Sequence, residues 1–315
     1  MLTVTPDYYR DFRCIASACR HTCCAGWEVD IDPDALETYR AMPGELGRRL
    51  ADAIDVSGGT PHFRLGPGDR CPFLNSKNLC DLILSGGEAL LCQICRDHPR
   101  FRNFLPGHTE VGLGLCCEAA AGLILSRKEP LRLVVTGDAE PTDEDAAALL
   151  ELRDVVMSTA QDASIPLETR MERVLTLCGA ILPARSWADW AAFYEGLERL
   201  DESWTEELRL LARRGDLVDI TLSDPDRSAA ERLLAYFLFR HFLKAYDDGD
   251  VTSKAAFAVL SVQLLLTLSA CRAAAGSFGP RDFRELARMY SAEIEYSEEN
   301  MDALFDELVC ADGET

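Results

Sequence analysis

The sequence predicts a mainly α protein: an irregular cysteine-rich N-terminal head with short strands, residues 1–130, followed by an α-helical body, residues 131–315. Three observations carry this. Beyond Pro130, apolar residues recur at helical spacing and strand signal is nearly absent. Before it, glycines and prolines interrupt every run. Ten of the thirteen cysteines fall within the first 117 residues, whereas Cys178, Cys271 and Cys310 are scattered singly.

Taken in order, residues 1–30 read as turn-rich and irregular. Asp32-Pro33 then opens a helix that breaks near Pro43-Gly44. The glycines and prolines between Gly58 and Gly68 allow loop or short strand only. In CPFLNSKNLCDLIL, two apolar runs flank Asn75-Ser76-Lys77-Asn78, a tight turn whose ends bring Cys71 and Cys80 together. A short helix, EALLCQIC, ends before His98-Pro99; a loop follows, then a helix from Cys116 or Cys117 to about Ser126. The body offers helices near 142–161, 167–181, 187–200, 203–214, 226–246, 253–275, 280–292 and 298–309. The stretch Ala255–Cys271 sits at the short limit for a membrane span and carries Ser261, Gln263, Thr267 and Ser269, so it reads as a buried core helix and predicts no membrane contact.

The formal charge is −21. Residues 1–130 hold 14 basic against 17 acidic side chains, leaving 18 against 36 for the remainder, so the net charges are −3 and −18. Such a surface repels phosphate backbones and predicts no nucleic-acid partner. It suits a protein partner bearing surface lysines. The opening residues, MLTVTPDYYRDF, lack the basic-then-apolar pattern of a signal peptide, which predicts a cytoplasmic, reducing location. There, thirteen cysteines read as ligands or core residues rather than disulfides.

The cysteines form a series: C-x4-C-x3-C-C from Cys14 through Cys19 and Cys23 to Cys24, the pair Cys71 and Cys80, C-x2-C at Cys92 and Cys95, and Cys116-Cys117. Thiolates are the softest protein ligands, and a zinc ion or a 4Fe–4S cluster takes about four of them. Ten exceed the need of one site, so two sites, or one site with spectator thiols, both remain open. His21 and His98 stand among the cysteines as further donors or proton carriers. Arg96 and Arg100 could bind a carboxylate, with a structural ion pair the plainer use. The radical S-adenosylmethionine triplet C-x3-C-x2-C is absent, since Gly26 stands where its last cysteine would be. No strand, glycine-rich loop and helix mark a Rossmann-type methyltransferase.

The runs YYRDFRCIASACRHTCCAGWEVDID, CPFLNSKNLCDLIL, CRDHPR and LCCEAAAGLIL resemble the flagellin lysine-N-methylase family, which overlaps the zinc- or iron-chelating CxxCxxCC proteins. The resemblance covers roughly residues 7–126. Cys14, Cys19, Cys23, Cys24, Cys71, Cys80, Cys95 and Cys116 fall where the family has cysteines, and the resemblance implies that these hold the metal. Trp27, Pro99, Arg100, Glu118, Ala119 and Ala120 also match. Cys117 stands where proline is usual and His98 where an aromatic is common, while Cys92 is extra. The resemblance further implies methyl transfer to lysine ε-amines of a flagellin-type protein, S-adenosylmethionine as donor and an iron–sulfur cluster, 4Fe–4S with zinc as the alternative, as cofactor. It assigns no catalytic residue and no donor-binding residue. The competing expectation is a non-catalytic zinc- or iron-binding protein for metal sequestration or delivery.

Overall fold

A computed structural model describes residues 1–138, 140–220, 224–276 and 278–309, with only the backbone considered at 224–226 and 280–281. Strand β1 (Leu2–Pro6) leads to helices α1 (Pro33–Ala41) and α2 (Gly44–Ala53), then to the paired strands β2 (Ile54–Asp55) and β3 (His62–Phe63). Helices α3 (Asp81–Gly86) and α4 (Gln93–Asp97) precede the hairpin β4 (Arg100–Leu105) and β5 (His108–Leu113), helix α5 (Glu118–Leu125) and strand β6 (Leu133–Thr136). The rest is helical: α6 (Glu144–Ala160), α7 (Leu167–Cys178), α8 (Trp187–Glu195), α9 (Glu202–Arg214), α10 (Asp224–His241), α11 (Ala245–Asp248), α12 (Val251–Ala274), α13 (Pro280–Tyr290) and α14 (Glu298–Val309).

The mainly α class holds, and each helix expected in the body is present. Local chemistry explains why they were legible. Asp143, Ser186, Asp201 and Asp250 each stand at an N-cap, their side-chain oxygens accepting from Ala146, Asp189, Ser203 and Ser253 N–H groups at 2.8, 3.1, 2.9 and 2.9 Å. Such caps satisfy donors that the first turn leaves open. Gly179 (φ 65°) and Gly249 (φ 74°) end α7 and α11 in the left-handed region that glycine tolerates.

Two expectations need correction. Residues 2–6 are not irregular, and residues 100–113 are not a loop: both join a four-stranded sheet of order β4-β5-β1-β6. Strand β1 runs parallel to β5, with Leu2 opposite His108, and antiparallel to β6, with Thr3 opposite Thr136. These partners lie far along the chain, so a five-residue strand carries little local signal.

The chain divides into two compact units. The helical unit comprises Met1–Phe12, Phe101–Cys116 and Ala120–Thr315. Its centre is α12, packed by α7, α9, α10, α13 and α14. By length and composition α12 could cross a membrane, but 89% of its most apolar window is buried inside the structure. Around it, Tyr194, Trp204, Phe237 and Tyr290 pack edge to face, with centroids 5.9–6.4 Å apart for the pairs Tyr194–Tyr290, Trp204–Tyr290 and Phe237–Tyr290. Between α13 and α14 the backbone widens into a π-helical turn, Ser291–Glu295.

The cysteine unit comprises Arg13–Arg100 and Cys117–Ala119. Val29, Ile31, Tyr39, Leu50, Phe63 and Phe73 lead its small apolar core. Asp32 organises it by capping two helices at once: Oδ1 accepts from Ala35 N (3.0 Å) in α1 and Oδ2 from Gln93 N (2.6 Å) in α4. Against its partial burial, those two backbone donors hold the Asp32 carboxyl below its ordinary pKa.

Candidate metal centre

Five thiols share the apolar core of the cysteine unit. Cys71 and Cys92 are buried within it, and Cys24, Cys80 and Cys95 pack against it half-buried. Backbone pairing puts them there. Cys71 N–H donates to Cys24 carbonyl oxygen at 2.8 Å, next to a bridge between Ala25 and Arg70. Asn75 folds the following turn, its Oδ1 accepting from Lys77 and Leu79 N–H groups at 2.9 and 3.1 Å and its Nδ2 donating to Asp81 at 2.9 Å. Leu74 bridges to Cys80 across that turn, so the expected small hairpin is present. Cys92 caps α4, and its sulfur lies 3.4 Å from that of Cys95.

The electrostatics pair these thiols. A hydrogen bond from Cys23 outweighs burial at Cys24 and brings it down to about 7. The hydrogen bond between Cys92 and Cys95 likewise lowers Cys92 and raises Cys95, where burial adds to the rise. Burial pushes Cys71 up to about 12, and the nearby Cys24, Cys80 and Cys92 add to it. In each coupled pair one sulfur is prepared to lose its proton, as metal binding requires.

A second group is more open. Cys14 and Cys23 are exposed, and Cys19 and Cys117 are half-buried. Cys19 Sγ donates to His21 carbonyl oxygen at 3.2 Å, and Ala16 N–H meets Cys14 Sγ at 3.4 Å. Arg20 holds this loop to Glu118 through its backbone N–H (2.8 Å) and its Nε (2.9 Å). Burial pushes Cys19 up to about 11, and the charges of Glu118, Cys117 and Cys14 contribute. Trp27 donates to Cys23 carbonyl oxygen at 2.8 Å and stacks obliquely on His98, centroids 6.2 Å apart.

Cys116 belongs to the helical unit, where its thiol is hydrogen-bonded to the Tyr296 hydroxyl. Thus, of the eight cysteines matched by resemblance, Cys24, Cys71, Cys80 and Cys95 lie in or against the core with Cys92; Cys14, Cys19 and Cys23 lie in the more open loop of the same unit; and Cys116 belongs to the helical unit. Cys178 and Cys271 are buried in α7 and α12, and Cys310 lies outside the described residues. His62 and His108 face Glu28 (3.4 Å) and Glu110 (3.3 Å), and Arg100 donates to Arg96 carbonyl oxygen at 3.0 Å. Among the described residues, no group of three or more His, Cys, Asp or Glu side chains could hold a metal ion as it stands. The donor chemistry of the core group, five sulfurs in apolar surroundings, nonetheless suits an iron–sulfur cluster or zinc and disfavours hard cations.

Sequence reasoning missed a buried polar network in the helical unit. Tyr236, Arg240 and His241 from α10 converge on Glu295 at the end of the π-turn. Tyr236 Oη lies 3.0 Å and His241 Nε2 2.6 Å from the carboxylate, and Arg240 Nε lies 3.3 Å away. Arg240 also donates to Tyr236 Oη at 2.8 Å and sits over the rings of Phe101 (5.1 Å) and Tyr296 (4.7 Å). The available signal was a cation and a histidine side by side inside the apolar run LLAYFLFRHFL.

A chain with an all-thiol core group and a helical unit built around a buried acid defines a cysteine-headed, mainly α protein. Comparison with known proteins is specific. Residues 225–311 match the family model of the FliB lysine N-methylase C-terminal domain, the segment that contributes Tyr236, Arg240, His241 and Glu295. The chain is 26% identical over 204 residues to the lysine-N-methylases of Salmonella choleraesuis (strain SC-B67) and Salmonella typhimurium (strain LT2), covering 61% of this chain and 45% of each relative. It is 27% identical over 142 residues to the flagellar biosynthetic protein FliU of Salmonella muenchen, covering 42% of this chain and 82% of that one. No solved structure matches. The chain is thus similar to the flagellin lysine-N-methylase family over part of its length. It spans less than half the length of the two lysine-N-methylases.

Proposed function

We propose that this chain acts as a protein lysine N-methyltransferase, with S-adenosylmethionine as methyl donor and an iron–sulfur cluster in its cysteine unit. The observation that carries the reading is the match of residues 225–311 to the FliB lysine N-methylase C-terminal domain, alongside relatives named lysine-N-methylase. The five core thiols supply the ligands: Cys24, Cys71, Cys80, Cys92 and Cys95 would hold the cluster, four at a time. When bound, such a cluster supplies a Lewis-acidic iron with an affinity for the donor's amino and carboxylate groups. A 4Fe–4S centre is the form we favour, with zinc the alternative.

The chemistry asked of the chain itself is modest. A neutral lysine amine is already a good nucleophile toward a sulfonium methyl, so the protein must align the two, exclude water and accept one proton. The acidic surface, with 53 acidic against 32 basic side chains, favours a substrate protein rich in exposed lysines. The names of the relatives direct the choice to a flagellin-type protein. Thiols kept as metal ligands suit a reducing compartment, and the proposed location is the cytoplasm.

The test is anaerobic purification with iron, zinc and acid-labile sulfide analysis, followed by titration with S-adenosylmethionine. Iron with equivalent sulfide and saturable donor binding supports the proposal. Zinc without sulfide and no donor binding would leave a metal-binding protein instead.

A further inference from the structure

The core of the cysteine unit holds five thiols, one more than a zinc ion or a 4Fe–4S cluster takes, and two of them touch. Cys92 Sγ lies 3.4 Å from Cys95 Sγ. Their surroundings differ: Cys92 is fully buried, whereas Cys95 is half-buried.

The backbone around the pair is pinned on both sides. Tyr39 Oη donates to Leu90 carbonyl oxygen at 2.7 Å, and Gln93 N–H donates to Asp32 Oδ2 at 2.6 Å. Arg96 N–H donates to Cys92 carbonyl oxygen at 3.1 Å, closing a helical turn that puts Cys92 and Cys95 on one face. Drawing the sulfurs from 3.4 Å to a bond of about 2.0 Å therefore asks for side-chain rotation alone. The start of α4 keeps its cap throughout, because Asp32 supplies it. A hydrogen bond also joins Cys23 to Cys24, but these two are adjacent in the chain, and the small ring that a disulfide would close there is strained.

We propose that Cys92 and Cys95 form a redox-active dithiol whose substrates are low-molecular-weight disulfides such as oxidised glutathione. Cys95, the member that solvent reaches, attacks one sulfur of the small disulfide; a Cys95 mixed disulfide forms and one small thiol leaves. Cys92, shielded from direct attack, then displaces the second small thiol from the Cys95 sulfur. The Cys92–Cys95 bond forms, the mixed bond breaks, and the protons of both cysteines end on the released thiols. The protein dithiol is oxidised as the small disulfide is reduced, and excess small thiol reverses the sequence.

The exchange itself needs no metal; only its consequence for the metal centre rests on the function proposed above. Oxidation leaves Cys24, Cys71 and Cys80 as the core thiols, one short of the four a cluster or zinc takes, so the pair gates metal loading.

The experiment strips the full chain of metal with a chelator, incubates it with oxidised glutathione, alkylates the remaining thiols and maps the tryptic peptides. Peptide 78–96 carries Cys80, Cys92 and Cys95 together. We expect alkylation at Cys80 and its loss at Cys92 and Cys95, the peptide being lighter by the hydrogen atoms that disulfide formation removes. Dithiothreitol should restore alkylation at both. Cys92→Ser should stop at the first step, with glutathione retained on Cys95. If that variant does not fold, the map of the unaltered chain decides alone. Alkylation of both thiols, a bond from either to Cys71 or Cys80, or a Cys95 adduct that persists in the unaltered chain overturns the proposal. Failure of the chain to transfer a methyl group would leave every one of these readings as it is.

Discussion

His241 Nε2 lies 2.6 Å from Glu295 Oε1, with both side chains closed off from solvent. The ionised carboxylate fixes the tautomer: Nε2–H donates, and Nδ1 is left buried without a partner. Burial pushes His241 down to about 4 from an ordinary 6.5, outweighing the help of Glu295. The imidazole is therefore neutral in the folded chain, and the unfolded chain binds a proton more readily. Stability from this residue is complete above pH 6.5 and is lost as pH falls toward 4. The full loss is on the order of 3 kcal/mol. Urea unfolding across that window should show the decline, and His241→Gln, which keeps an amide donor but does not titrate, should flatten it.

Glu295 is the hub. It accepts from His241 and Tyr236 and faces Arg240, and against burial the Arg240 charge and the His241 hydrogen bond hold its carboxyl below the ordinary range. Glu295→Ala strands a buried guanidinium, so unfolding free energy should drop by about 3–5 kcal/mol. Tyr296→Phe, at a side chain 43% exposed, should cost less than about 1 kcal/mol.

Gly114 shows how tightly this network is packed. A methyl group there would overlap Tyr296 Oη and come within 2.8 Å of Arg240 Nη1. Gly114→Ala should destabilise by about 1–3 kcal/mol in a thermal or urea melt. Gly122 in α5 has nothing within 4 Å of such a methyl, so Gly122→Ala should be neutral or stabilising by about 0.5–1 kcal/mol.

The core thiols make an assignment that can be read in metal content. Of Cys80→Ser, Cys92→Ser and Cys95→Ser, at least two should lower the iron and acid-labile sulfide recovered under anaerobic conditions, since four of the five core thiols are needed. Cys178→Ser, in the buried face of α7, should leave both unchanged. Full retention in all three core variants would show that the ligands lie elsewhere.

Much of this was legible in the chain because it is local. Asp143, Ser186, Asp201 and Asp250 announce helices with their own side chains, and Asn75 announces the turn between Cys71 and Cys80. The sheet was hidden because its information is distant. Leu2 finds its partner at His108 and Thr3 at Thr136, and Pro106-Gly107 is the one short-range hint of the β4–β5 hairpin. Cys92 was set aside as extra, yet it is fully buried beside Cys95, a placement that spacing alone does not encode. The Glu295 network was missed for the same reason as the sheet: His241 and Glu295 are 54 residues apart, and only a π-turn brings the acid inward.

Methyl transfer itself is the central claim, and one measurement reaches it directly. Chain purified anaerobically with its metal in place is incubated with S-adenosylmethionine carrying a labelled methyl group and with a lysine-rich flagellin-type protein, and the protein is digested for mass spectrometry. The account predicts label on lysine ε-nitrogens and equivalent formation of S-adenosylhomocysteine. Metal-loaded chain that binds the donor and yet leaves every lysine unlabelled would contradict it.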